Sequence, residues 1–315
     1  MVKPQPKKAL LLALVIVLVY AVVQFLLSSR VLGRYYENVI MNVGINILLA
    51  VSLHVVLGLA GQFSIGHAGF LAVGAYTSAV LTSKLDLPFA LALLAGAVAA
   101  LLAGLLIGIP TLRLRGDYLA IATLGFAEIV RVSLLNIEYV GGAAGMRVPH
   151  LTTWTYLYVC LVIALLVIVH LTNSAHGRAT LAIREDEVAA EAMGVPTTAY
   201  KVLAFAVGSF FAGLAGGLYA HNFYVIQPVN FGFLKSFEIL VFVVLGGIGS
   251  LTGAIVSASF LTLVSIALQA YPEIRMIVYS LVLILVMLFR PQGLLGTREL
   301  SSLLPALRLG QGGSR

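Results

Sequence analysis

The sequence of 315 residues has little charge and almost no cysteine. Only 10% of its residues are Asp, Glu, Lys or Arg, whereas 61% are hydrophobic. Soluble domains carry about 25% charged residues. The single cysteine, Cys160, lies inside an apolar run, which excludes a disulfide within one chain and a thiolate metal site. With a mean hydropathy of +1.06, the chain is not an ordinary soluble domain.

Apolar runs fill most of the chain and are long enough to cross a bilayer as helices, which takes about 20 residues each. They predict an all-α, polytopic integral membrane protein with about ten transmembrane or re-entrant helices. The predicted boundaries are a cytoplasmic N-terminal tail at 1–8, a transmembrane domain at 9–290 and a cytoplasmic tail at 291–315. A cytoplasmic loop at 173–201 interrupts the transmembrane domain.

The formal net charge is +7, and a strongly basic balance can indicate nucleic-acid binding. Here the positive residues lie at the chain ends and in short gaps between apolar runs, such as Arg113 and Arg115, and they form no patch. Membrane orientation explains this pattern better, because cytoplasmic loops are enriched in Lys and Arg. The pattern predicts cytoplasmic termini, contact with a lipid bilayer and no nucleic-acid partner.

A short polar break, Gly58 to Phe70, separates two apolar runs and contains four glycines. Backbone groups freed at membrane depth are tolerated only where protein buries them or where they line a wet cavity. Two interpretations stay open. The break is a broken helix or re-entrant turn beside a solute path, or a tight loop that serves helix packing. The first interpretation makes Gln62, Ser64 and His67 candidate path residues.

Polar side chains inside other apolar runs are further candidates for a solute path. Asn42, Asn46 and His54 fall on one helical stripe at a period of 3.6 residues. Glu128 and Arg131 are three residues apart, so they share a helix face and can pair. An unpaired charge at membrane depth costs at least about 2.5 kcal/mol. Solute contact and purely structural bonding between helices both stay open for these side chains.

A second glycine break, Gly246 to Gly253, cuts the long apolar stretch from Ser236 to Gln269. The segment before this break is predicted to be short, and Glu238 at its beginning is the last path candidate. Dividing this stretch into two segments also keeps the basic C-terminal tail on the cytoplasmic side, in agreement with the distribution of positive charge.

The loop at 173–201 is the one substantial polar insertion between apolar runs. Leu181 to Met193 is predicted to form one amphipathic helix with Leu181 and Val188 on the same side, ended by Gly194 at the following position. A docking element for a cytoplasmic protein and a solvated loop are both open interpretations. The candidate coupling residues are Arg184, Glu185, Asp186, Glu187, Glu191, Ala192 and Gly194.

Five motifs follow one another in a characteristic order: the break at 58–70, then 115–131, 177–195, 211–218 and 244–253. Together they resemble the M-type permeases of branched-chain amino acid ABC importers. The resemblance implies a multi-pass subunit in a bacterial inner (cytoplasmic) membrane, which imports leucine, isoleucine or valine. It also implies an H-type permease partner, two cytoplasmic ABC ATPases that bind ATP, and an extracytoplasmic solute-binding protein. This chain has no Walker motif, so we expect it to bind no cofactor.

Three other functions are compatible with parts of the pattern. Permeases of urea and short-chain amide importers share these motifs. A channel or ion-coupled carrier acting alone would need no cytoplasmic docking helix. An intramembrane enzyme would need a reactive site, and the chain has no His-Glu-x-x-His motif. Histidines within membranes are more often hydrogen-bond partners than metal ligands. We therefore expect a transport subunit without a metal and without enzymatic activity of its own.

Overall fold

The computed structural model describes residues 6–29, 33–111, 116–269, 271–289, 293–294 and 296, which form twelve α-helices and two short strands. The helices are α1 (Pro6–Ser28), α2 (Arg34–His54), α3 (His67–Lys84), α4 (Phe89–Thr111), α5 (Asp117–Asn136), α6 (Trp154–Asn173), α7 (Ala175–Glu185), α8 (Glu187–Ala192), α9 (Thr197–Asn222), α10 (Phe233–Gly246), α11 (Leu251–Ala267) and α12 (Pro272–Phe289). The first five residues, the basic turn at Arg113 and Arg115, and most of the predicted C-terminal tail lie outside the described residues.

Six helical stretches are long and apolar enough to cross a membrane. They are Arg34–Leu59, Phe89–Thr111, Asp117–Asn136, Trp154–Asn173, Thr197–Asn222 and Pro228–Gly246. Shorter apolar stretches lie in α1, α11 and α12. The all-α polytopic class is therefore confirmed, whereas the number of about ten segments stays a prediction.

Helices α2, α3 and α9 form the centre of the molecule. In the apolar stretches of α2 and α9, 72% of the residues are buried, against 28% in α5 and 22% in α6. Helix α9 packs against α2, α3 and α4. The side chains that α5 and α6 leave uncovered are largely apolar, for example Ile129 at 67% exposure. Such surfaces suit contact with lipid or with another membrane protein.

Glycines set the close approach of α3, α4 and α9. A Cβ added at Gly74 would collide with the backbone of Gly213, and a Cβ at Gly213 would collide with Ala100. A Cβ at Gly96 would lie 2.7 Å from the Gly74 carbonyl oxygen. Small residues that let helix backbones touch are typical of membrane helix packing, because lipid supplies little hydrophobic drive for association.

Two short strands join the loops at the ends of α5 and α9. Strand β1 (Met146–Arg147) pairs antiparallel with β2 (Val225–Ile226), with Met146 opposite Ile226. The strand pair follows the C-terminal end of α9, whereas α8 precedes its N-terminal end. That α7 and α8 lie on the cytoplasmic side and the strands on the outer side stays a prediction from the distribution of positive charge. The strand pair thus fixes two outer loops against each other.

We expect Gly74→Ala to lower the thermal stability of the protein, because filling a close helix contact costs about 1–3 kcal/mol. Gly125→Ala on α5 is the matched control, since an added Cβ there meets nothing within 4 Å. Alanine should even favour the α5 helix by up to about 1 kcal/mol. Thermal unfolding of both purified variants in one detergent measures the difference. Equal losses of stability would contradict the close contact between α3 and α9.

Candidate functional site

The first glycine break begins with a π-helical turn, Val55–Leu59, that continues α2. Gly61 follows with φ of +67°, a backbone conformation that favours glycine. The chain reverses at this point, and residues 62–66 form no helix before α3 begins at His67. The break is therefore a tight turn followed by a short irregular segment.

This irregular segment leads into the core, so α3 begins inside the protein. His67 is 1% exposed, and its Nε2 lies 2.7 Å from the Ser52 hydroxyl oxygen of α2. The Ala68 N–H donates to the Ser236 hydroxyl of α10 at 3.1 Å. Backbone and ring groups at the beginning of α3 are thus bound by hydroxyls from two other helices, which is the burial by protein that such a break requires.

Helix α5 covers the same break from another side. The Ile65 N–H donates to the Thr123 hydroxyl at 3.1 Å. A Cβ added at Gly66 would collide with the Thr123 carbonyl, and one added at Gly69 would lie 2.9 Å from the Ala127 Cα. The two glycines are thus needed because the backbones of the break and of α5 lie in direct contact.

Two buried polar side chains at the break keep unused hydrogen-bonding atoms. Gln62 is 4% exposed, and within the described residues neither atom of its amide group has a partner. The same holds for Nδ1 of His54. Ser64, in contrast, accepts the Gly66 N–H at 3.4 Å. A buried polar group without a partner costs about 1–3 kcal/mol, so Gln62 and His54 would bind a polar atom placed beside them.

The second break ends α10 and begins α11. Helix α10 has 14 residues, as expected for a short segment. Gly247 follows it with φ of +108°, and the Ser250 hydroxyl caps α11 by accepting the Gly253 N–H at 3.0 Å. A Cβ at Gly246 would collide with the Gly253 backbone, so the two helices touch at their glycines.

Both breaks and the cytoplasmic helix α7 meet at one place, which we call the junction (Gly58, Arg184 and Ile248). Arg184 Nη1 donates to the Gly58 carbonyl at 2.7 Å. The Ile248 carbonyl of the second break lies where a Cβ of Gly58 would be. Gly61 lies against the aliphatic part of Arg184, with 2.7 Å between an added Cβ and Cγ. The junction therefore connects α7 to both breaks.

The loop at 173–201, which was predicted to be cytoplasmic, forms two helices. The prediction of one helix from Leu181 to Met193 was therefore wrong. Helices α7 and α8 are separated by Asp186, which has extended backbone angles, φ −155° and ψ 106°. Its carboxylate accepts the Ala189 N–H at 3.0 Å, as an N-cap does. Aspartate is a strong N-cap residue, and this local preference outweighed the continuous amphipathic pattern.

The buried faces of α7 and α8 also differ from the prediction. Ile183 and Ala190 are buried, whereas Leu181 is half-buried and Val188 is 65% exposed. Gly194 follows α8 with φ of +82°, as predicted for the residue after the helix. Val188 of α8 therefore faces away from this chain, whereas Ala190 packs against it.

The charged residues of this element have different environments. Glu187 pairs with Lys201 of α9 at 2.6 Å, which ties α8 to the membrane domain. Glu185 pairs with Arg184, whereas Glu191 and Ala192 are exposed. The candidate coupling residues thus lie on α7, on α8 and in the turns beside α8. Arg184, Glu185 and Glu187 form ion pairs, whereas Glu191 and Ala192 are exposed to a partner.

Glu128 and Arg131 pair as their spacing predicts. Arg131 Nε donates to Glu128 Oε2 at 2.7 Å, and the side chains are 27% (Arg131) and 34% (Glu128) exposed. The other carboxylate oxygen accepts the Phe233 N–H at 3.2 Å. Phe233 is the first residue of α10, and a helix N-terminus stabilises a negative charge. The pair therefore joins α5 to α10.

Asn46 and Glu238 belong to a partly buried network around Lys235. Lys235 Nζ donates to Asn46 Oδ1 at 3.2 Å and to Glu238 Oε2 at 3.0 Å. Asn46 also donates to the Thr262 hydroxyl at 3.0 Å, and the Tyr279 hydroxyl donates to Glu238 at 3.4 Å. Lys235 was not singled out from the sequence, because it stands next to an outer loop and carries no motif.

The nine path candidates therefore fall in four places and do not line one pocket. His54, Gln62, Ser64 and His67 surround the first break, while the other places are the α5 pair, the Lys235 network and an outer cavity lined by Asn42. Within the described residues, no group of three His, Cys, Asp or Glu side chains is placed to hold a metal ion.

Comparison with known proteins gives a family match and curated relatives. Residues 35–287 match the family described as branched-chain amino acid transport system / permease component. The chain is 39% identical over 264 residues to the high-affinity branched-chain amino acid transport system permease protein LivM of Salmonella typhimurium. That alignment covers 72% of this chain and 62% of the relative. For LivM of Escherichia coli K12 the identity is 36% over 283 residues, covering 78% and 65%.

A second type of permease is also similar. LivH of Salmonella typhimurium, from a high-affinity branched-chain amino acid transport system, is 31% identical over 181 residues, covering 56% of this chain and 58% of the relative. The chain thus spans less than two thirds of the LivM relatives that it matches. No solved structure matches it.

We expect Arg131→Met to destabilise the protein more than the double change of Arg131→Met with Glu128→Gln. The single change leaves a partly buried carboxylate without its guanidinium partner. In a double-mutant cycle on denaturant unfolding, the coupling between side chains in contact should be about 0.5–3 kcal/mol. The control cycle combines Glu128→Gln with Arg178→Gln, because Arg178 binds the Asn173 carbonyl in the cytoplasmic loop. Additive effects in both cycles would show that the pair contributes no stability.

Proposed function

This chain belongs to the branched-chain amino acid transport system permease family, and from that premise we propose that it is a permease subunit of an ABC importer. Its substrates are leucine, isoleucine and valine, carried across the bacterial inner (cytoplasmic) membrane. Support comes from the relatives, which are named for such a system. The chain acts as a transport subunit, and separate ATPases hydrolyse the ATP.

The partners follow from the same family. An H-type permease is the second membrane subunit, in keeping with the similarity of this chain to LivH. Two cytoplasmic ABC ATPases and an extracytoplasmic solute-binding protein complete the importer. The partly exposed Glu128 and Arg131 on α5 and its apolar side chains, such as Ile129, offer a surface that the second permease would cover.

The observation that carries the coupling role is the hydrogen bond from Arg184 to the Gly58 carbonyl. Helices α7 and α8 expose Val188 (65%) and Met193 (84%) on the cytoplasmic side, and exposed apolar side chains of this kind suit a protein partner. An ATPase that moves α8 would move α7, and through Arg184 it would pull on the end of α2. That movement reaches the break at which α3 begins.

The solute path is proposed to pass the first break. Gln62 and His54 retain unpaired polar atoms there, and a zwitterionic solute offers both donors and acceptors to such groups. Glu128, Arg131 and Glu238 stabilise α10 around this region, because each has a charged or backbone partner.

Reconstitution of the importer tests the function. The chain is assembled in liposomes with an H-type permease, two ABC ATPases and a solute-binding protein. We expect ATP-dependent uptake of radiolabelled L-leucine that excess isoleucine and valine inhibit and excess urea or acetamide does not. Uptake of urea without uptake of leucine would support the amide importer, and uptake without the ATPases would support a carrier.

We expect Arg184→Gln to uncouple the assembled importer. Leucine taken up per ATP hydrolysed should fall about tenfold, the scale of one lost charged hydrogen bond. Arg178→Gln is the matched control on the same helix, because Arg178 binds a carbonyl of its own loop and does not reach the junction. Both ratios are measured in proteoliposomes with equal amounts of inserted protein. An unchanged ratio in Arg184→Gln would remove the junction from the coupling route.

A further inference from the structure

A cavity of about 470 Å³ lies where α2 begins and where α9 and α11 end. This is the outer end of the molecule, away from both glycine breaks. Its lining includes Arg34, Glu37, Met41, Asn222, Ile266 and Gln269. Pockets for small molecules have volumes of about 300–1,000 Å³, so the cavity has the size of a ligand site.

The cavity contains one positive and one negative side chain that are both available. Arg34 and Glu37 are exposed residues in the first turn of α2. Among the described residues, neither of them forms an ion pair. A guanidinium binds a carboxylate with two parallel hydrogen bonds, and a carboxylate accepts bonds from an ammonium group. The cavity is therefore complementary to a ligand that carries both charges.

A buried amide gives independent evidence of a ligand. Asn222 lines the cavity and is 4% exposed, and within the described residues neither its amide oxygen nor its nitrogen has a hydrogen-bond partner. Leaving such a group unpaired costs about 1–3 kcal/mol. Both amide atoms are covered in this conformation, so a rotation of the Asn222 side chain toward the cavity would bring them to a polar ligand atom and remove that cost. Met41 and Ile266 supply an apolar wall beside it.

We propose that this cavity binds a free zwitterionic amino acid with an apolar side chain. Arg34 holds the carboxylate, Glu37 holds the ammonium group, Asn222 bonds to either one, and Met41 with Ile266 contacts the side chain. The identity of the ligand rests on the proposed function. The site itself is additional, because it lies on this chain alone and outside the breaks, and it would hold solute at the outer face.

Binding of L-leucine to the purified full chain tests the proposal. The chain is placed in phosphatidylglycerol nanodiscs, without binding protein or ATPases, and titrated by calorimetry. We expect saturable binding that Arg34→Gln weakens by about tenfold or more, the scale of a charged hydrogen bond. Arg34→Gln should leave the binding of leucinamide, which lacks the carboxylate, unchanged. Glu37→Gln should weaken leucine equally and leave 4-methylpentanoate, which lacks the ammonium group, unchanged.

Arg147→Gln and Glu138→Gln are the matched controls, because both residues are exposed near the outer end but do not line this cavity. Asn222→Leu adds a readout of stability. It should preserve or raise the melting temperature of the ligand-free chain and abolish the shift that leucine produces. Absence of leucine binding to the wild type, equal losses in the controls, or a leucine shift retained in Asn222→Leu would each overturn the proposal.

Phosphatidylethanolamine also carries a zwitterionic headgroup, so the titration is repeated with this lipid in the nanodiscs. Unchanged leucine affinity supports a free amino acid as the ligand, whereas competition by the lipid would overturn that assignment. The reconstituted uptake of leucine separates the two proposals. Uptake without binding to the isolated chain overturns this site alone, and binding without uptake overturns the proposed function.

Discussion

The fold depends on binding the backbone groups that the first glycine break frees inside the core. In a membrane no water replaces a lost partner, and each unsatisfied group costs several kcal/mol. Hydroxyl groups supply the partners. The Thr123 hydroxyl accepts the Ile65 N–H, and the Ser236 hydroxyl accepts the Ala68 N–H. The Ser52 hydroxyl is hydrogen-bonded to the His67 ring. Because these hydroxyls come from α5, α10 and α2, the break holds its shape only while all three helices are packed around it.

This dependence makes the break a place where movement in one helix reaches several others. In the π-helical turn at the beginning of the break, the Gly58 carbonyl accepts a hydrogen bond from Arg184. The second break lies against the same glycine through the Ile248 carbonyl. Helix α7 therefore contacts the break at its π-helical turn and not along a continuous α-helix. Helix α8 is in turn tied to α9 by Glu187 and Lys201.

Length and hydropathy predicted the fold class and the position of most helices, because long apolar runs leave few alternatives in a bilayer. The Glu128–Arg131 pair was also predictable, since its spacing of three residues is a local property of a helix. The division at Asp186 was missed because an N-cap preference competed with an amphipathic pattern. The bond between Lys235 and Asn46 joins residues 189 positions apart, and no local pattern reports such a contact.

The packing of the centre bears on where a solute can pass. Gly74, Gly96 and Gly213 bring α3, α4 and α9 into backbone contact, and a Cβ at Gly208 of α9 would collide with Val56 in the π-helical turn that continues α2. Contacts this close leave no room for an amino acid at these positions. Beside these contacts, Gln62 and Asn222 have amide atoms without a partner within the described residues, and Glu128 with Arg131 on the α5 margin are partly exposed. A path along such a margin needs a second wall. A second permease subunit against α5, as proposed above, would provide one.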